Sequence, residues 1–363
     1  MTDKPSMADI RAARARIAPH IRHTPLLRAE RLDEALGCQV YLKPEMFQLT
    51  GSFKARGAFN KVLLLSPEER EKGLIASSSG NHAQALAYVG SLLGVKTVAV
   101  MPHAAPPSKV GRARALGAEV ILFEGTQAER WAFVDRQVEE KGYTMVHASD
   151  DPATMAGQGT MALEILEDLP DVDTLVVPVG GGGLISGVAT AVREGGAKVR
   201  VAGVEPAAAP KFHVSRKNGV PTAVPAGETM ADGIREEIPG KNAYPVIARY
   251  VDELALAEEA CIAEALRLLA REAHLFAEGA AAAGMGAVLS GTIRVAVPEK
   301  VCFILSGGNW DLDKFITSCN YKILLKNHKE ARRENIAAAQ GRRGRAGDHE
   351  RRHRRRGRRV QGL

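Results

Sequence analysis

From Leu74 onward the chain repeats one rhythm: a short run of apolar, strand-favouring residues, a polar turn, and then a segment with helical spacing. Strand-like runs fall at Leu74 to Ala76, Thr97 to Met101, Glu119 to Phe123 and Thr144 to His147. Helical patterns end at Leu93 and cover Pro107 to Leu116 and Ala128 to Glu140 between them. Strands alternating with helices in this way imply parallel pairing, because a crossover helix is what returns the chain to the same end of a sheet. The rhythm resumes with a helix over Ala153 to Leu166, a strand over Thr174 to Val179, a glycine run, a helix over Leu184 to Arg193 and a strand over Val199 to Val204. Residues 206 to 250 are rich in Pro and Gly and read as loop. Helices over Glu258 to His274 and Ala280 to Leu289 then lead to a last strand, Lys300 to Leu305. The fold class is therefore α/β, with ligands expected at the carboxyl ends of parallel strands.

Upstream of this rhythm lie a helix around Ala8 to Ala18, an extended Thr24 to Leu27, a short helix ending at Gly37 and a strand-like Val40 to Pro44. Next comes Gln48-Leu49-Thr50-Gly51-Ser52-Phe53-Lys54, in which Ser52 reads as a helix N-cap. Ala55, Ala58, Phe59, Val62 and Leu63 follow at helical spacing, so Lys54 falls in the first turn. The partial positive charge of a helix N-terminus disfavours a second cation there. A lysine so placed loses its proton more readily, and a neutral amine is what Schiff-base chemistry requires.

Three turns stand where a strand hands over to a helix. Ser77-Ser78-Ser79-Gly80-Asn81-His82 offers small hydroxyls and free helix amides, a setting for a carboxylate. Gly180-Gly181-Gly182-Gly183 lets backbone amides close around a phosphate. It spells neither GxGxxG nor a P-loop, which points to a compact monophosphate rather than a dinucleotide. Ser306-Gly307-Gly308-Asn309 follows the last strand.

A chain of 363 residues suggests roughly two domains of ~100 to 200 residues. The formal charge of +7 is uneven. Residues 321–363 hold 15 basic and 4 acidic side chains, which leaves 34 basic and 38 acidic before them. The basic stretch, low in apolar residues, reads as disordered. After Tyr321 it holds no Phe, Trp or Tyr for base stacking, which argues against a nucleic-acid partner. The body of the chain is mildly acidic. No apolar run reaches the ~18 residues of a membrane span, and the N-terminus lacks a hydrophobic signal core, so a cytoplasmic protein without a membrane partner is expected. Cys38, Cys261, Cys302 and Cys319 are far apart with no CxxC pair, against a zinc site or a disulfide framework.

With TGSFKARGA, SSGNHAQA, VPVGGGGLISG, AGVEP, ETMADGI and LSGGNWD all in order, residues from about 20 to 315 resemble the serine/threonine dehydratases. These belong to the tryptophan-synthase-β-like group of pyridoxal-phosphate enzymes, fold type II, which includes serine racemase. The resemblance implies two parallel-sheet α/β domains. The large one would comprise residues 1–72 and 151–321, and a small mobile one, 73–150, would close over the substrate. The cofactor, pyridoxal 5'-phosphate, would lie in the cleft between them, followed by a tail at 322–363. It implies that Lys54 is both the Schiff-base lysine and the general base, that Gly180, Gly181, Gly182 and Gly183 cradle the phosphate, and that Phe53, Asn81, Ser306 and Gly307 also bind the cofactor. Ser78, Ser79, Asn81, His82 and Arg130 would line the substrate site. The implied reaction is β-elimination from L-threonine or L-serine to 2-oxobutanoate or pyruvate plus ammonia. Because Ser79 stands where serine racemases carry an acid/base serine, a racemase or bifunctional enzyme using a Lys54/Ser79 pair is the alternative. After Glu205, metal-dependent members carry an acidic residue where this chain places Lys211, so no divalent metal is expected there. The expected partners are a small amino-acid substrate and further copies of the chain in a homodimer or homotetramer.

Overall fold

Ten strands form two sheets in the computed structural model, which describes residues 4–319. In chain order they are β1 (Leu27–Arg28), β2 (Gln39–Pro44), β3 (Leu74–Ser77), β4 (Thr97–Pro102), β5 (Glu119–Phe123), β6 (Thr144–Met145), β7 (Thr174–Pro178), β8 (Arg200–Pro206), β9 (Glu253–Ala257) and β10 (Lys300–Leu305). One sheet has the order β5-β4-β3-β6 and is parallel throughout. The other runs β1-β2-β10-β7-β8-β9 and is parallel except for the short β1–β2 pair. Every residue of β3 and of β7 is buried, as parallel strands covered by helices on both faces must be. Residues 1–315 form one compact unit, and of the second, 316–363, the described part, Ile316 to Cys319, is helical. The stretch read as disordered, 322–363, lies outside the described residues. No helix among the described residues is long and apolar enough to cross a membrane.

The structure corrects the reading of residues 206–250 as loop. Helices Lys211–Asn218 and Ala243–Tyr250 lie within that stretch, and β9 follows it unforeseen. Both helices are started by carboxylates that lie outside that stretch. Glu205 accepts the Phe212 and His213 amides at 3.0 and 2.8 Å, and Asp150 accepts those of Asn242 and Ala243 at 2.9 and 3.0 Å. Pro245 is tolerated because it falls in the first turn, where a missing amide costs nothing. β6 is shorter than expected, two residues, because the chain turns at His147. Its Nδ1 accepts the Ser149 and Asp150 amides at 3.1 and 2.8 Å.

Helix Pro152–Asp168 is the element that positions the rest. It is buried along most of its length and packs between helix Lys54–Leu64 and helix Gly183–Glu194. Glycines at the crossings allow that approach. A Cβ on Gly157 would fall 2.6 Å from the Arg56 carbonyl oxygen, and one on Gly187 would fall 2.2 Å from that of Met155. A charge network locks the first crossing. Arg56, wholly buried, reaches Glu45 at 2.8 Å and Glu164 at 2.6 Å, and Lys43 Nζ lies 2.8 Å from Glu164. Thr24 Oγ1 donates to Glu45 at 2.6 Å and so completes the set. The helix carrying Lys54 and the helix that follows the glycine run are thus referred to one rigid axis.

Candidate active site

Lys54 is the first residue of helix Lys54–Leu64. Ser52 does not cap that helix as expected: it is extended, its hydroxyl is buried without a partner, and Phe53 takes the N-cap position with no side-chain bond. Ser52 instead pairs as an isolated bridge with Gly307, while the Phe53 amide donates to the Ser306 carbonyl at 3.1 Å. Those contacts bring the Lys54 turn against the Ser306 turn. Lys54 Nζ donates to the Ala148 carbonyl at 2.7 Å and stands 5.0 Å from the centre of the Phe53 ring. The side chain keeps partial exposure, yet its amine lies among protein atoms, and burial draws its pKa from 10.5 down to about 8. The cause is desolvation rather than the helix dipole invoked from sequence; the charges of Glu236 and Glu278 pull the other way.

The glycine run joins β7 to helix Gly183–Glu194, with Gly182 in the left-handed region at φ 96°. Side chains are excluded here by close neighbours. A Cβ on Gly181 would lie 2.3 Å from Ser149 Oγ, on Gly182 2.6 Å from Ala243 Cβ, and on Gly183 2.4 Å from the Ser149 carbonyl oxygen. Among the described residues, none of the amides from Gly180 to Ile185 has an acceptor. An anion placed at this helix N-terminus would satisfy them.

In the serine turn, Ser78 Oγ accepts the Gly80 and Ala83 amides at 3.1 and 3.2 Å, which leaves its own proton to donate. Ser79 is exposed and has no hydrogen-bond partner among the described residues. Asn81 Nδ2 donates to the Glu278 carboxylate at 2.9 and 3.1 Å, and Asn81 Oδ1 accepts from Asn309 at 3.0 Å. His82 is fully buried, with Nε2 2.8 Å from the Val146 carbonyl and Nδ1 unpartnered. A carbonyl partner makes Nε2 the N–H nitrogen, and burial lowers the pKa to about 3, so the ring is neutral and offers a lone pair rather than a charge. Arg130 Nε donates to Ser77 Oγ at 2.8 Å, next to this turn. The Ser306 hydroxyl is buried and unpartnered.

Several residues that the sequence left unmarked stand beside these. Glu278 is wholly enclosed, and burial raises its pKa. Lys109, whose stem crosses Gly80, pairs with Asp232 at 3.2 Å, and Lys314 reaches the same carboxylate at 2.8 Å. His147 stacks on Trp131 with ring centres 4.5 Å apart. No local spacing signals these residues; only a shared neighbourhood in the fold does. Lys211 lies 3.1 Å from Glu205 and 3.5 Å from the Val179 carbonyl, with both side chains fully buried. Among the described residues no group of three His, Cys, Asp or Glu side chains is arranged to hold a metal ion.

Residues 17–307 match the family model described as pyridoxal-phosphate dependent enzyme. The chain is 44% identical over 303 residues to an L-threonine ammonia-lyase of Geobacter sulfurreducens, covering 84% of this chain and 75% of the relative. It is 42% identical over 325 residues to one of Thermotoga maritima, covering 89% and 80%. Among solved structures it is similar to maize serine racemase, with TM-score 0.82 and 35% identity over 89% of this chain and 99% of that one. A threonine deaminase from T.th. gives TM-score 0.80 and 42% identity over 85% and 99%.

Proposed function

Because the chain belongs to the pyridoxal-phosphate-dependent enzymes of fold type II, we propose that it is a threonine/serine ammonia-lyase. It would convert L-threonine to 2-oxobutanoate and L-serine to pyruvate, each with release of ammonia. One observation carries the reading: Lys54, whose amine burial brings to a pKa of about 8, directly follows Phe53, whose amide is bonded to the carbonyl of Ser306, and the Ser306 hydroxyl is buried without a partner.

The residues present fit the cofactor. The uncovered amides of Gly180 to Ile185 would hold its phosphate, Ser306 Oγ would meet the ring nitrogen, and Lys54 would be the covalent attachment. Phe53, Asn81 and Gly307 complete its surroundings in this reading. When bound, the cofactor supplies an aldehyde for amines and a ring that takes up the electron pair left at Cα. The protein supplies placement. The serine turn, with Ser78 Oγ still able to donate, would bind the substrate carboxylate beside Ser79, Asn81, His82 and Arg130. Lys54, as a free amine, would take the proton from Cα, a step typically worth ~10²- to 10⁴-fold. Its partner Ala148 O aims that amine, and its lowered pKa leaves a large neutral fraction near pH 8.

Residues 73–150 would act as the small domain closing on the site, since β3 to β6 make a sheet of their own, with 1–72 and 151–321 as the large domain. A cytoplasmic location and a homodimer or homotetramer belong to the same reading; light scattering tests the assembly. A second reading, racemisation through Lys54 and Ser79, is favoured by the exposed, unpartnered Ser79 hydroxyl. The deciding experiment is a panel of 3-hydroxy amino acids scored separately for ammonia, keto acid and inverted amino acid. It is run beside the visible absorption of the cofactor-loaded protein, which Lys54→Ala should abolish. Absence of that band in the wild type, or its persistence in Lys54→Ala, removes the assignment.

A further inference from the structure

We propose that Glu236 is a specificity-determining residue that confines the site to amino acids with a single carboxylate and turns away those with an acidic side chain. The inference rests on the 3-hydroxy amino acid reading above and narrows its substrate class.

The loop from Ala231 to Gly240 is built into the wall of the site. A Cβ on Gly180 would lie 3.3 Å from Ile234 Cα, and one on Gly240 would lie 2.6 Å from the Gly181 carbonyl oxygen. At its other end the loop passes Glu278, whose Oε1 is 3.5 Å from where a Gly233 Cβ would stand. It therefore runs from the glycine bend to the residue that holds Asn81. The turn Asp232–Ile234 and the Glu236 amide bond to the Ile234 carbonyl, 3.0 Å, fix residue 236 in that wall. Glu236 is only partly buried, so its carboxylate is not needed to fill a core.

Across from it lies helix Gln127–Lys141. Gln127 donates from Nε2 to the Glu236 carboxylate. Arg130, three residues on and so on the same helical face, is anchored through Nε to Ser77, at the head of the serine turn. The negative charge of Glu236 is felt at Lys54, at Arg130 and at His147. A carboxylate that acts on the Lys54 amine also acts on the substrate, because Cα must reach that amine and the side chain is one bond further.

Charge balance then selects the substrate. Arg130 is offset by Glu236, and the direct partner of Glu236, Gln127, is neutral. The turn and its amides serve one α-carboxylate. With the charge of Arg130 already shared, a second carboxylate on the side chain would face Glu236, the kind of like-charge clash by which sites reject a competitor.

The test uses the cofactor-loaded enzyme with L-threonine and L-threo-3-hydroxyaspartate, followed by keto-acid release. Binding of the unreactive pair L-alanine and L-aspartate is followed by the change each makes in the visible spectrum. In Glu236→Gln, which keeps the shape and the contact with Gln127, the ratio of kcat/KM for hydroxyaspartate to that for threonine should rise about tenfold or more. The aspartate-to-alanine affinity ratio should rise with it, and Glu236→Asp, which keeps the charge, should hold both ratios near those of the wild type. Ratios unchanged in Glu236→Gln, or relaxed equally in Glu236→Asp, overturn the proposal. If the wild type releases no keto acid from any 3-hydroxy amino acid, the functional reading falls, and the aspartate/alanine arm still decides the role of Glu236.

Discussion

Arg56 Nη1 lies 2.6 Å from Glu164 Oε1, both inside the protein, two residues along the chain from Lys54. The guanidinium is shared with Glu45, and Glu164 is shared with Lys43, so four charges cancel without water. Their joint effect is to seat helix Lys54–Leu64 on helix Pro152–Asp168, and the reactive amine inherits its position from that seat.

Breaking this set should be costly. Glu164→Gln leaves Arg56 with Glu45 alone and Lys43 with only Asp168, 3.8 Å away, and Arg56→Met leaves Glu45 with only the Thr24 hydroxyl. Each should lower stability by about 3–5 kcal/mol, the usual loss when one partner of a buried pair is removed. Urea unfolding of the cofactor-free protein measures it, and a loss below about 1 kcal/mol would mean that the network is dispensable.

Gly157→Ala and Gly187→Ala should each destabilise by about 1–3 kcal/mol, because the new methyl meets backbone carbonyls that cannot rotate away. Since both crossings position the site, cofactor affinity should fall along with stability. A variant of either kind with unchanged thermal unfolding would show that the crossings can open freely.

The protonation of Lys54 should appear in two profiles. As a base it must be neutral, and with a pKa near 8 its neutral fraction grows as pH rises, so the rate should climb through about pH 8. Stability of the cofactor-free protein follows from the same shift. The folded pKa is lowered from 10.5, so between about 8 and 10.5 the unfolded chain binds more protons and the Lys54 contribution to stability rises with pH. Lys54→Met should flatten that rise. A difference between wild type and variant that stays constant over this window would contradict the desolvated amine.

Lys211 tests the metal question. Its amine lies 3.1 Å from Glu205 and 3.5 Å from the Val179 carbonyl, next to the glycine bend, and we propose that it stands in for a divalent cation there. Chelator should leave the activity unchanged, and Lys211→Met should cost about 3 kcal/mol by stranding Glu205, whose carboxylate keeps only two backbone amides. Loss of activity in chelator with recovery on adding Mg²⁺ would refute this.

Outside residues 206–257, sequence alone determined most of the order of strands and helices, the parallel pairing from β2 onward, and the three turns at strand ends, because these depend on spacing and on residue types that act locally. Lys54 and the glycine run were singled out for the same reason, each standing in a short stretch whose chemistry is visible without neighbours, whereas Ser306 was marked only by the family resemblance. Tertiary structure decided what those residues face. The helices within 206–250 were hidden because their first amides are satisfied not by a residue at the N-cap but by Glu205, at the end of β8, and by Asp150, far back in the chain. The lowered pKa of Lys54 comes from burial, which no local dipole argument supplies, and Glu236, Glu278 and His147 reach the site only through folding. Local periodicity is a property of the chain; desolvation and charge balance are properties of the space that the folded chain encloses.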